Sequence, residues 1–267
     1  MSTATGDWMR ESVDVGGTSL ELVKGGSGEP LLLLHGEMGH PGWLRFHEAL
    51  ARDFTLYIPS HPGFGRSGRP DWIMNMRDLA GWYGQALEEL DLSPVHVMGF
   101  SLGGWLAAEM ATMCRHTFKS LTLVGAMGVK PPAGEILDMF LIVAKEYLEA
   151  GFLDPEAAPE FRAICPEEPD PDQAEAWEVA REEASRLSWR PYAHYPALPQ
   201  LLKGVKRLKS LIVWGNQDPV VPVSAAHVYR DSLDGSQLAL LDGCGHHPEI
   251  EKTDQFVLIT REFLKGA

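Results

Sequence analysis

The stretch VHVMGFSLGGWLAAEMATMC, Val95 to Cys114, decides the fold of this chain. Residues 95–101 form a compact apolar run of the kind that makes a strand buried on both faces. Residues 103–114 have the length and composition of a helix. Between them lies G-x-S-x-G, with Gly99 and Gly103 flanking Ser101. After a strand and before a helix, this pattern marks a sharp turn that lifts a serine hydroxyl above the sheet, because only small neighbours let the backbone pass. The helix start brings the Leu102 N–H and the positive end of the helix dipole to the same place, where they favour negative charge.

Working outward, similar runs recur: PLLLLHG (30–36), FTLYIPS (54–60), SLTLVGA (120–126) and SLIVWGN (210–216), each ended by Gly, Ser, Pro or Asn. Helix-length segments lie between them, at 75–90 and in the last stretch TDQFVLITREFLK, where Phe256, Ile259, Thr260, Phe263 and Leu264 share one stripe. Such alternation predicts a doubly wound α/β sheet. Near the N-terminus, SVDVGGTSLELVKGG sets Gly16-Gly17 between two alternating runs and predicts an antiparallel hairpin at the sheet edge. The rhythm breaks between about Lys130 and Tyr195. EILDMFLIVAKEYLEAG and DQAEAWEVAREEASRLSW there predict helices, with Ile136, Met139, Phe140, Val143 and Tyr147 forming an apolar stripe on the first. That helical insertion would suit a lid over an apolar pocket.

With 267 residues, 45% of them apolar, the chain is long enough to bury a substantial core. Its formal charge is −14, and Pro131 to Arg190 holds fifteen Asp/Glu against five Lys/Arg, so the acidity belongs mostly to the insertion. A solvated outer face explains it. An excess of this sign repels phosphate backbones and anionic lipids, so neither nucleic acid nor membrane is expected as a partner, and a small-molecule substrate is. No basic-then-apolar leader opens the chain and no apolar run is long enough to cross a bilayer, so a cytoplasmic protein, monomer or homodimer, is expected. The three cysteines, Cys114, Cys165 and Cys244, are unclustered, which argues against a disulfide framework and a zinc site.

A serine hydroxyl needs a base to become a nucleophile, and the base needs an orienting group. WGNQDPVVP sets Asp218 just past the end of the 210–216 run, although an Asp before Pro219 also suits a turn. After the strand-like SQLALLDG comes CGHHPEIE, again at a strand's carboxyl end. Serine, aspartate and histidine would then meet on one edge in the order Ser…Asp…His.

Taken together, the early "HG" (His35, Gly36), HPGFGRS (61–67), the serine turn, WGNQDPVVP and GHHPEIE make the chain resemble the α/β-hydrolase superfamily over nearly its whole length. The resemblance implies an α/β-hydrolase fold: a mostly parallel eight-stranded sheet, helices on both faces, and a helical cap. It assigns residues 1–129 and 196–267 to the core and 130–195 to the cap. In the family pattern G-H-x-P-x-x-E the base is the first histidine, here His246, with Pro248 and Glu251 matching. His247 takes the variable position, and adjacent side chains point in different directions. Glu251 is expected to mark the start of the final helix.

The resemblance places the oxyanion hole at the backbone N–H groups of Leu102 and Glu37. Glu37 departs from the glycine, aromatic or apolar residue many relatives carry. Its side chain is expected to turn to a polar partner such as His40 or Arg66; the alternative is a carboxylate in the pocket, biased against anionic substrates. Met38, Phe100, Phe140, Trp189 and His247 are the expected substrate contacts. Trp189, with Arg190, is also open to reading as packing and surface.

A serine nucleophile argues against the haloalkane dehalogenase and epoxide hydrolase branches, which use aspartate. A carboxylesterase-like serine hydrolase without metal or organic cofactor is the expected activity. Lactonase, thioesterase, perhydrolase and meta-cleavage-product hydrolase remain alternatives, the last ranked lower because HGEMG stands where that branch has a glycine-rich loop. A ligand receptor on a hydrolase scaffold is the alternative outside enzymes.

Overall fold

The computed structural model describes residues 8–267. The strands are β1 (Trp8–Val15), β2 (Thr18–Gly26), β3 (Glu29–Leu34), β4 (Phe54–Pro59), β5 (Val95–Phe100), β6 (Phe118–Val124), β7 (Ser210–Gly215) and β8 (Gln237–Leu241). They form one eight-stranded sheet in the order β1-β2-β4-β3-β5-β6-β7-β8. β2 pairs antiparallel with β1 and β4, and every other pair is parallel. The hairpin turn falls at Gly16-Gly17, with φ of +57° and +68°. Positive φ at both central residues is what a two-residue turn matching the strand twist requires.

The helices are α1 (Arg45–Leu50), α2 (Met76–Glu89), α3 (Leu102–Cys114), α4 (Ala144–Ala150), α5 (Phe161–Ile164), α6 (Pro171–Ser188), α7 (Leu198–Leu202), α8 (Ser224–Ser232), α9 (Pro248–Glu251) and α10 (Thr253–Lys265). The run LLLL of β3 shows why both faces are covered. Leu32 and Leu34 join the core beneath α2, α3 and α8, while Leu31 and Leu33 join the core beneath α1 and α10. Side chains alternate with period two, so an all-apolar strand buries both ways only between two helical layers. No helix among the described residues is long and apolar enough to cross a membrane.

The connection from β6 to β7 carries α4 to α7. The stretch expected as one helix from Glu135 is helical only over α4. Upstream, its backbone groups find tertiary partners instead. Leu137 N–H donates to Val220 O at 2.9 Å, Met139 N–H to Tyr192 Oη at 2.9 Å, and Arg181 Nη2 donates to Met139 O at 2.8 Å. Asp138 Oδ1 accepts the Phe140 N–H, a local turn that competes with helix. The expected stripe is therefore split: Met139 and Tyr147 are buried, whereas Val143 is 58% exposed.

The other predicted helix is present as α6, opened by Asp170, whose side chain accepts the Gln173 N–H, and by Pro171. Its acidic face is not wholly solvated. Glu183 is buried and bridges Arg186 (2.6 Å) to Arg69 (3.0 Å), which fastens α6 to the loop after β4.

Candidate active site

Ser101 stands between β5 and α3 with φ +48° and ψ −113°, backbone angles that L residues avoid. The turn is held by Ser101 N–H to Val124 O (2.9 Å) and by Gly104, Trp105 and Met127 N–H groups donating to Ser101 O. A Cβ at Gly99 would collide with Gly103 backbone, and one at Gly103 with the carbonyls of Leu34 and His35. These contacts give the glycines of the motif their physical reason. Gly103→Ala should destabilise the fold by about 2–4 kcal/mol, read as a lower midpoint in urea; an unchanged midpoint would show that the turn can relax.

Asp218 follows β7. Its Oδ1 accepts the N–H groups of Val220 and Val221, both at 2.8 Å, and its Oδ2 meets His246 Nδ1 at 2.8 Å. The carboxylate is thus pinned by its own loop and aims at the imidazole. His246 is buried, and its N–H donates to Gly151 O just after α4 at 2.7 Å. His246 Nε2 and Ser101 Oγ are both without a hydrogen-bond partner. Burial disfavours charge on His246, but Asp218, then Glu37 and Glu249, outweigh it and raise its pKa to about 9.

The other histidine has a different environment. His247 Nδ1 lies 3.2 Å from Glu249 Oε1, and its ring packs on Phe152 with centroids 4.7 Å apart. Glu251, expected to open the final helix, instead closes the four-residue α9. It braces the loop, accepting from Gly245 (3.0 Å), His247 (3.3 Å) and Leu153 (3.0 Å).

Ser101 and His246 line one cavity of about 640 Å³, walled on the far side by Leu148, Phe152, Ile164 and Trp177 of the β6–β7 connection. Met38, Phe100 and His247 line it too. Phe140 and Trp189 do not. Phe140 lies in a separate shallow depression with Val179 and Arg181, stacked edge-on against Trp189, which is 47% exposed. Loss of the helical stripe moved Phe140 outward. Both are corrected to surface packing residues.

Residues 31–257 match the model of the alpha/beta hydrolase family. The chain belongs to the α/β-hydrolase family. Among relatives of this hydrolase, an uncharacterised protein of Mycobacterium tuberculosis is 27% identical over 263 residues, 90% of this chain and 76% of that one. The 2-hydroxy-6-oxo-2,4-heptadienoate hydrolase of Pseudomonas putida is 26% identical, covering 93% of this chain and 94% of its own. A crystal structure of a membrane phospholipase A, 24% identical, superposes with a TM-score of 0.82 over 97% of this chain and 86% of that one.

Glu37 of this α/β-hydrolase corrects a further expectation. Its side chain is paired with neither His40 nor Arg66 but is buried in the cavity, where Oε1 accepts the hydroxyl of Tyr147 from α4 at 2.7 Å. Oε2 has no partner. Burial pushes its pKa upward, yet the charge of His246, the nearby Ser101 hydroxyl, its own N–H and the Tyr147 hydroxyl together bring it below the usual carboxylate value. Tyr147 is the site residue that sequence reasoning missed. Its place on an apolar stripe concealed a hydroxyl that reaches the cavity.

Proposed function

We propose that this α/β-hydrolase is a serine hydrolase that cleaves a small carboxylic ester through an acyl-enzyme. The observation that supports it most is the buried Asp218–His246 hydrogen bond, with His246 Nε2 and Ser101 Oγ both unpartnered in one cavity. In this reading His246 Nε2 takes the Ser101 proton as Oγ attacks the ester carbonyl, and Asp218 stabilises the imidazolium. The N–H groups of Leu102 and Glu37 hold the oxyanion. Collapse expels the alcohol, which takes the proton from His246; water, giving a proton to His246, then attacks the acyl carbonyl, and Ser101 Oγ leaves with that proton as the acid is released. Residues 130–195 act as a cap that excludes water from the cavity.

Carbon–carbon cleavage of a dienoate is a second reading, favoured by the similarity to the Pseudomonas putida enzyme over nearly both full lengths. A dienoate is an anion, and the buried Glu37 carboxylate weighs against it. Purified protein offered p-nitrophenyl esters of increasing acyl length and, separately, that dienoate should release nitrophenolate from the short and medium esters and leave the dienoate chromophore intact. The opposite pattern would establish the second reading. Tight ligand binding without Ser101 labelling would make the protein a receptor.

A further inference from the structure

The carboxylates lining the cavity are not equivalent. Glu21 faces Arg10 at 3.5 Å, Glu249 faces His247 at 3.2 Å, and Asp172 on α6 is exposed to solvent. Asp218, which does not line the cavity, faces His246. Glu37 has no Lys or Arg partner among the described residues: its Oε1 accepts the uncharged phenol of Tyr147, the uncharged Ser101 hydroxyl lies close, and its buried Oε2 lacks a well-formed hydrogen bond. Even with His246 protonated, Asp218 and Glu37 leave a net negative charge immediately beside the reacting serine; the arginines that line the cavity are Arg10, paired with Glu21, and Arg66. A buried carboxylate whose lone pairs are half satisfied is costly to the fold. A donor or cation from outside would satisfy it, and a second anion would not.

We propose that Glu37, held by Tyr147, is a specificity-determining residue: it excludes esters that carry a carboxylate close to the scissile carbonyl and selects uncharged or cationic ones. The substrate class, though not the charge selection, rests on the ester-hydrolase reading. The repulsion is large because it acts in a water-poor site. Two unit charges about 6 Å apart at an effective dielectric of about 20 differ from a neutral pair by on the order of 100-fold in rate or affinity.

The same carboxylate also bears on the base. The charged and titratable groups around His246 are Asp218 after β7, Glu249 on α9, Glu37 after β3, Tyr147 on α4 and neighbouring His247. His246 accepts a proton only when deprotonated, so kcat/KM should rise with pH through its pKa. Removing one of the negative charges that hold that proton should move the acid limb to lower pH.

The test compares methyl pentanoate with monomethyl succinate, which are nearly isosteric but differ by a charge, in the wild type, Glu37→Gln and Tyr147→Phe. In parallel, butyramide and butyrate are compared as protectants of Ser101 against a neutral fluorophosphonate, which forms a Ser101 Oγ–P bond and expels fluoride. The wild type should prefer the neutral ester by on the order of 100-fold and be protected by butyramide far better than by butyrate. Glu37→Gln should bring both ratios to within about threefold and shift the acid limb down, with Tyr147→Phe in between. A wild type that treats the charged and neutral compounds alike overturns the proposal, whatever the variants do; so does a Glu37→Gln protein that keeps the full preference. If neither ester is cleaved but protection still follows charge in the wild type and not in Glu37→Gln, the ester reading fails and the charge selection stands.

Discussion

Ser101→Ala is expected to abolish ester turnover and covalent labelling together. On the proposed mechanism the alanine removes the atom that forms the acyl bond, and the loss in kcat should be about 10⁴-fold or more, leaving at most the rate enhancement of the binding site. The fold should survive, because the turn is held through the backbone at Val124, Gly104, Trp105 and Met127 rather than through Ser101 Oγ. The melting temperature should therefore stay near that of the wild type, or rise if alanine relieves crowding. Turnover or labelling that persists in a folded Ser101→Ala protein would remove the serine from the mechanism.

The second large effect separates the adjacent histidines. His246→Ala removes the imidazole hydrogen-bonded to Asp218 and, on the proposed mechanism, should cost about 10⁴-fold in kcat/KM. It also leaves a buried carboxylate without its charged partner, so a loss of about 1–3 kcal/mol in stability is expected alongside. His247→Ala loses packing on Phe152 and a contact with Glu249, both at the cavity wall. A change within about tenfold in kcat/KM and about 1–2 kcal/mol in stability is expected there. Equal loss of activity in the two variants, each folded by circular dichroism, would undo the assignment of the base.

The make-up of the sheet, parallel strands buried on both faces and a hairpin at one edge, was legible because it rests on local signals. Apolar runs such as Leu31–Leu34 must be buried on both faces, and Gly16-Gly17 permits the positive φ of a tight hairpin. The elbow was legible for the same reason, since Gly99 and Gly103 sit where a Cβ would strike backbone. The stretch from Glu135 to Val143 was misread. Its apolar spacing fits a helix, yet Val220, Tyr192 and Arg181, each distant in sequence, take its backbone hydrogen bonds. Weak helical preference loses to several tertiary hydrogen bonds and to burial of Met139.

Sequence alone determined that this chain builds a parallel-centred sheet with a serine at a strand-to-helix turn and an aspartate and a histidine at later strand ends. Those features follow from periodicity and turn sterics, which act over a few residues. Tertiary structure alone decided where the side chains of the β6–β7 connection point: Phe140 and Trp189 outward, Tyr147 inward to Glu37. Direction in an irregular segment depends on partners far along the chain, and so the charge beside Ser101 became visible only in the folded molecule.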